Sequence, residues 1–290
     1  MKKILITGST GLLGSRLVFF LKNLNFKVFT HGRNTTECDF DFDLEDFSLF
    51  DLLLKKTSPD IIINLVALTN VDECEENPSL AFRSNCLTAY NLVSSIKKNH
   101  NKFFTIHIST DHIYDNSILS KENDINIKNM YAYTKYFADL TISNIPSAII
   151  RTNFFGKSYS KKNSFSDWIY KSLKEGESIH LIEDIFFSPI SITTLNEMIL
   201  KIIEFKTIGI FNVGSRDGMS KYNFGVQFSK LNKLPYKKIQ KISFKDAQFY
   251  KYNRPIDMRM NVDKFEKNFN ITMPSLEYEI QRASEDYRNE

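Results

Sequence analysis

Lys3-Ile4-Leu5-Ile6-Thr7-Gly8-Ser9-Thr10-Gly11-Leu12-Leu13-Gly14 is the stretch that decides the fold. Its first five residues form a short apolar run with the length of a buried strand. Three glycines follow, three residues apart, and then Leu12, Leu13, Leu17, Phe20, Leu21 and Leu24 recur at helical spacing. Strand, glycine turn and amphipathic helix in this order open a βαβ unit. There Gly8 permits a tight turn and Gly11 lets the backbone approach a pyrophosphate, which the helix N-terminus stabilises. Gly14 lets the helix pack closely. Thr10, Leu12 and Leu13 belong to the same cradle. Three glycines alone are a weak signal, and their place at the start of a βαβ unit makes dinucleotide binding the reading.

Outward from this stretch, strand and helix alternate. Strands are expected at Phe26–Thr30, Asp60–Val66, Phe103–Ile108 and Ser147–Arg151. Helices are expected at Asp46–Lys56, Ala81–Lys98 and Tyr131–Ser143. Asp60-Ile61-Ile62-Ile63-Asn64-Leu65-Val66 is the continuous run of a parallel strand covered on both faces. The alternation predicts an α/β fold with a doubly wound parallel sheet, whose ligands sit at the carboxyl ends of the strands. Beyond Arg151 the pattern loosens. Short strands (Ile179–Ile182, Gly209–Val213) mix with helices (Ser164–Lys174, Thr193–Phe205, Tyr222–Leu231). The expectation is a dinucleotide-binding domain over 1–150 and a smaller α/β substrate domain over 151–290, partly interleaved with it. No internal repeat or low-complexity linker interrupts the chain.

Composition narrows the classes. Of 290 residues 42% are hydrophobic and 25% charged, so a largely disordered chain is excluded. No run approaches the roughly 20 apolar residues that cross a bilayer. Gly8 cuts the first apolar run too early for a signal peptide, and a cytoplasmic protein without a membrane partner is expected. Cys38, Cys74 and Cys86 form no Cys-x-x-Cys pair and have no histidine at metal spacing, so they read as reduced thiols and no metal is expected. The net charge of +4 is uneven, with −2 over residues 1–150 and +6 over the remainder. A basic second half suits an anionic ligand such as a diphosphate and equally a solvated surface. Its lysines are scattered, which argues against nucleic acid. His100, His107 and His180 read as surface or strand residues, and Trp168 as core or domain interface. Glu73, Glu75 and Glu76 read as a solvated helix start, favourable to the helix dipole.

Three further positions carry chemistry. The second strand should end near an adenosine ribose, where an acid would hold the 2′-hydroxyl. The sequence there is Thr30-His31-Gly32-Arg33-Asn34, without an acid, and the forked donors of Arg33 suit a 2′-phosphate. NADPH is therefore expected, with NADH as the alternative. Asp43 and Leu44 follow a stretch placed to close over the adenine. Tyr131-x-x-x-Lys135 puts two side chains on one helix face. The lysine ammonium favours the phenolate, so Tyr131 can act as an acid toward a carbonyl oxygen near neutral pH. Ser109-Thr110-Asp111 brings hydroxyls to the carboxyl end of a strand, where a hydroxyl can orient that carbonyl.

Taken together these stretches resemble the extended short-chain dehydrogenase/reductases, and within them the dTDP-4-dehydrorhamnose reductase family. The resemblance runs through Asn64-Leu65-Val66-Ala67-Leu68-Thr69-Asn70-Val71-Asp72, then Ser109 to Asp115, Tyr131 to Lys135, Arg151-Thr152, Asp184 to Pro189 and Arg254-Pro255. It implies a Rossmann-type sheet and a catalytic set of Thr110, Tyr131 and Lys135, with Lys135 also on the nicotinamide ribose. Ala67 is implied in cofactor binding, and Thr69, Val71, Asp111, Phe154 and Arg254 in substrate binding. The implied activity is NADPH-dependent reduction of a nucleotide-linked 4-keto-6-deoxy sugar for polysaccharide synthesis, with room for a homodimer. Alternatives are a reductase or epimerase-reductase for another sugar nucleotide, or a non-catalytic NADP-binding regulatory subunit. The chain departs from the family at His112, where a tyrosine is usual. Asn153-Phe154 stands for Ser-Trp, Asp184-Ile185 for Asp-Gln, and Pro189-Ile190 for Pro-Thr.

Overall fold

The computed structural model describes residues 1–99, 103–117 and 119–288; His100 lies outside the described residues. The strands are β1 (Lys3–Thr7), β2 (Lys27–Gly32), β3 (Phe40–Asp41), β4 (Ile61–Asn64), β5 (Phe104–Ile108), β6 (Ser147–Thr152), β7 (Phe154–Phe155), β8 (Ile179–Ile182), β9 (Phe186–Phe187), β10 (Ile190–Ser191), β11 (Gly209–Val213), β12 (Met219–Ser220) and β13 (Ile239–Ile242). The α-helices are α1 (Leu12–Asn23), α2 (Phe47–Thr57), α3 (Val71–Glu76), α4 (Pro78–Ala81), α5 (Thr88–Lys98), α6 (Met130–Ile142), α7 (Phe165–Lys174), α8 (Ile192–Phe205), α9 (Lys221–Leu231), α10 (Asp263–Phe269) and α11 (Leu276–Arg288).

Seven strands form one sheet in the order β11-β6-β5-β4-β1-β2-β3. The order runs outward in both directions from β1 and β4, which makes the sheet doubly wound as expected. The β1–β2, β1–β4, β4–β5 and β5–β6 pairs are all parallel. Ile61, Ile62 and Ile63 have no exposed surface, the burial of a central strand covered on both faces. The packing forms two compact units, one of Met1–Thr110, Asn129–Ile150 and Ile199–Ile210, the other of Asp111–Lys128, Arg151–Met198 and Phe211–Glu290. In the first, Leu5, Ile62 and Ile149 of the sheet pack against Leu53, Leu92, Ala138 and Ile142 of the helices. In the second, Phe155, Phe224 and Phe228 pack with Ile169, Leu181 and Ile280.

Several elements end differently from the expectation, each for a local reason. The central strand stops at Asn64 because its side chain accepts from Thr7 Oγ1 at 2.8 Å and from the Val66 N–H at 3.4 Å, which starts a loop. The second strand runs on through His31 and Gly32, which pair with Phe40 and Asp41 of a short strand that periodicity did not reveal. The single helix expected over 81–98 is α4, a π-helical segment Phe82–Leu87, and α5. Asn85, in that widened turn, accepts from Leu68 N at 2.7 Å and donates to Thr134 Oγ1 at 2.9 Å. That tertiary demand has no trace in the spacing of apolar residues. Trp168 is not core: it is 39% exposed and stacks on Phe165.

Gly14 tests the packing of the glycine turn. A Cβ there would lie 2.5 Å from Gly8 O and 2.6 Å from Ser9 O, both backbone atoms. Gly14→Val should lower stability by about 1–3 kcal/mol through overpacking. Urea unfolding checks this, and an unchanged midpoint would show that the turn yields freely.

Candidate active site

The glycine turn places α1 against the carboxyl end of β1. Gly8 has φ +72°, and a Cβ there would meet Leu65 C and Val66 N at 3.1 Å. Gly11 is the N-cap of α1, and a Cβ there would meet only Gly8 O, at 3.3 Å. No side chain caps this helix, so the orphan N–H groups of its first turn suit an anion. Thr10 and Leu12 are half-buried beside them, whereas Leu13 belongs to the core. The residues present therefore fit a dinucleotide pyrophosphate.

Arg33 lies just beyond β2, and its surroundings differ from the sequence reading. Its Nη1 is 3.0 Å from Asp43 Oδ2 and 3.9 Å from Glu45 Oε1, and both Arg33 and Asp43 are about half exposed. The acid absent from the strand end is thus brought in from ten residues further on. The Leu44 side chain is core, while its carbonyl accepts from Asn91 Nδ2 at 3.0 Å. Any contact of Leu44 with an adenine would therefore come from its backbone.

Tyr131 and Lys135 lie on α6, whose first turn is doubly capped. Asn129 accepts from Ala132 N at 2.9 Å, and Glu75 Oε1 from Met130 N at 2.6 Å. Glu75 thus anchors the helix that carries both residues. Lys135 is 2% exposed, and its ammonium donates to Ile108 O at 2.7 Å, two residues before Thr110. Burial pushes the Lys135 pKa down to about 8, against the opposing pull of Asp139 and Cys86. Thr110 is buried where the chain leaves β5. Tyr131 shares a small apolar cluster with Val71, Cys74 and Ala81, packed by Leu68 and Met130. One proposed substrate contact, Val71, is thereby brought to the tyrosine. Ala67 is half-buried and Thr69 exposed in the same loop, which Asn85 holds through Leu68.

In the second unit, Asp111 Oδ2 accepts from Asn153 Nδ2 at 2.9 Å, so one departure from the resembled family pairs with a residue beside the Ser-Thr motif. Phe154 pairs with Ile190 across β7 and β10; Phe154 is half-buried and Ile190 has no exposed surface. The Arg254 guanidinium sits 5.0 Å over the Tyr250 ring. Burial, together with the charges of Lys221 and Arg254, pushes the His112 pKa down to about 3, so its ring is neutral at ordinary pH. Arg151 is buried and donates to Tyr114 Oη at 3.0 Å and Glu122 O at 2.6 Å. Tyr114 in turn donates to Asn212 Oδ1 at 2.7 Å. The Arg151-Thr152 stretch thus braces the segment that follows Asp111.

Sequence reasoning missed Asn85, Tyr114 and Asn212, whose partners lie far away along the chain. In the sequence His107 reads as an ordinary strand histidine. Among the described residues no cluster of three or more His, Cys, Asp or Glu side chains could hold a metal, and no helix is long and apolar enough to cross a membrane. The three cysteines are free thiols, and burial pushes Cys74 and Cys86 up to about 12.

Known proteins share this architecture. A probable low-salt glycan biosynthesis reductase of Haloferax volcanii is 27% identical over 236 residues, 76% of this chain and 77% of its own. The dTDP-4-dehydrorhamnose reductase of Salmonella typhimurium is 24% identical over 254 residues, 79% of this chain and 80% of its own. Among solved structures, the dTDP-4-dehydrorhamnose reductase of Bacillus anthracis, in complex with NADP, superposes with a TM-score of 0.87 at 24% identity, covering 98% of this chain and 99% of its own. The family model described as the RmlD substrate binding domain matches residues 1–289, and the chain belongs to that family.

Proposed function

We propose that this protein is an NADPH-dependent reductase of a nucleotide-linked 4-keto-6-deoxy sugar, acting in the cytoplasm in polysaccharide precursor synthesis. One observation carries the reading: Lys135, four residues after Tyr131 on α6, is buried and bonded to the Ile108 carbonyl beside the Ser-Thr-Asp motif. The bond ties Lys135 to the strand that leads into Ser109 and Thr110. The first unit would hold the dinucleotide, through the Gly8–Gly14 turn, Arg33, the Asp43-Leu44 backbone, Ala67 and Lys135. Asp111, Phe154 and Arg254, with Thr69 and Val71, are the residues proposed for the sugar nucleotide.

Bound NADPH supplies the hydride that reduces the keto carbon. Thr110 donates a hydrogen bond to the carbonyl oxygen and orients it. Tyr131 donates its phenolic proton to that oxygen as negative charge develops there. Lys135 stabilises the phenolate left behind and holds the ribose. Relatives named as dTDP-4-dehydrorhamnose reductases, and the NADP complex of the Bacillus anthracis one, support this reading.

The test is NADPH oxidation over a panel of 4-keto-6-deoxy sugar nucleotides. Turnover with at least one is expected, and NADPH binding without turnover on any would favour a regulatory subunit. Within the panel, dTDP-4-dehydrorhamnose is expected to be a poor substrate. Half-buried Phe154 offers no hydrogen bond where the family has Trp, whereas Ile190 is fully buried and faces no ligand; an unpaired buried hydroxyl costs about 1–3 kcal/mol. If dTDP-4-dehydrorhamnose gives the highest kcat/KM of the panel, the departure at Phe154 is neutral. A homodimer is part of the proposal, and a monomer mass by light scattering at all concentrations would count against it.

Arg33 separates the cofactors. A 2′-phosphate would take over from Asp43 as its partner, exchanging a weak exposed pair for a doubly charged one. Arg33→Ala should weaken NADPH about tenfold and leave NADH unchanged. Equal loss for both cofactors in fluorescence titration would remove Arg33 from the 2′ position.

A further inference from the structure

A polar row crosses the carboxyl end of the sheet. Thr7, Asn64 and His107 are register partners on the adjacent strands β1, β4 and β5, so their side chains share one face. All three are at least 98% buried. Two residues earlier, Leu5 and Ile62 face the core that Ala138 and Ile142 of α6 complete. Thr7 Oγ1 donates to Asn64 Oδ1 at 2.8 Å, and Asn64 Nδ2 faces His107 Nδ1 at 3.0 Å. At its far end His107 Nε2 lies 3.5 Å from Lys135 Nζ and 3.9 Å from Asp139 Oδ1.

The row assigns the histidine tautomer. The Val66 N–H can only donate, and it points at the same Asn64 atom that Thr7 does, so that atom is the amide oxygen. The amide NH₂ therefore faces His107, whose Nδ1 must accept. Burial and the Lys135 charge both hold the ring neutral, so its one proton is on Nε2. That N–H points toward the Lys135 ammonium, which itself donates to Ile108 O. An amide cannot pass a proton along the row, so His107 is no base.

We propose that His107, locked by Asn64 and Thr7, is a positioning residue for Lys135, confining its amine against the Ile108 carbonyl and facing it with a fixed N–H dipole. This rests on the role proposed above for Lys135. The groups around the amine are His107 and the Ile108 carbonyl from β5, Asp139 from α6, and Cys86 from the π-helical segment, with Tyr131 one turn earlier on α6. The His107 dipole opposes the charged amine. Without it, burial alone opposes the pull of Asp139 and Cys86, and the ammonium is retained to higher pH.

The experiment follows the Lys135 side chain in the full chain by NMR titration of ¹³C-labelled lysine, assigned by its loss in Lys135→Met. His107→Phe fills the same volume without an N–H and should raise the titration midpoint by about one unit. The alkaline limb of kcat should move with it, and kcat should fall more than the KM for NADPH rises. His107→Gln keeps a donor of similar reach and should restore both. Asn64→Leu frees the tautomer and should shift the midpoint in the same direction, which serves if the Phe variant does not fold. A Lys135 midpoint unchanged in the folded variants overturns the proposal. If Lys135→Met retains turnover, the catalytic reading fails, and the titration still decides what His107 does.

Discussion

Tyr131→Phe is expected to bind NADPH like the wild type and to lose about 10²–10⁴-fold in kcat, the usual contribution of a positioned general acid. The phenolic proton matters only as the alkoxide forms, so its removal acts on the transition state. The substitution removes one oxygen from a side chain that packs with Val71, Cys74 and Ala81, so the surroundings need not move. Stopped-flow NADPH oxidation and a fluorescence titration of the cofactor check the two halves separately. A variant within threefold of wild type in kcat/KM would remove Tyr131 from the chemistry.

Lys135→Met is expected to abolish turnover and weaken NADPH while making the protein more stable at neutral pH. Burial lowers the folded-state pKa to about 8 from 10.5, so folding favours the neutral amine. The stability contributed by this group is therefore fully present above the unfolded pKa and lost as pH falls through about 8. At pH 7 the buried ammonium costs on the order of 3 kcal/mol relative to the neutral amine. Methionine fills the space without a charge, and its Tm should exceed the wild type's by a few degrees at pH 7, with the gap closing toward pH 10. For the wild type, kcat should fall as pH rises past about 8, where Lys135 loses the proton that stabilises the phenolate. A lower Tm for the methionine variant at pH 7 would mean that the hydrogen bond to Ile108 outweighs the buried charge. The higher Tm would be the pattern of an active site held at the expense of stability.

The two variants bear on residues that sequence spacing selected. Tyr131 and Lys135 stand four apart on a helix, and the helix forms because its apolar positions and its Asn129 cap are local. The pairing of that helix with β5 was legible too, since a parallel sheet brings strand ends and following helices together. What spacing could not give was the environment. Lys135 reads as an ordinary ammonium in the sequence, and only its burial brings its titration near neutral pH.

The sequence by itself determined the architecture. Gly8 and Gly14 between a short apolar run and an amphipathic helix specify the turn, because positive φ at Gly8 and a 2.5 Å backbone approach at Gly14 admit nothing larger, while Gly11 opens the helix. The continuous apolar strand Ile61–Ile63 and the alternating helices specify a sheet covered on both faces. Tertiary structure alone decided the partners. It set Asp43 against Arg33, used Asn85 in a π-helical segment to hold the loop bearing Thr69 and Val71, and braced Asp111's segment through Arg151 and Tyr114. It also aligned Thr7, Asn64 and His107 into one row ending at Lys135. Those contacts join residues 10 to 57 positions apart. Their hydrogen bonds are chosen by the requirement that every buried polar group find a partner, and that requirement acts only once the chain has packed.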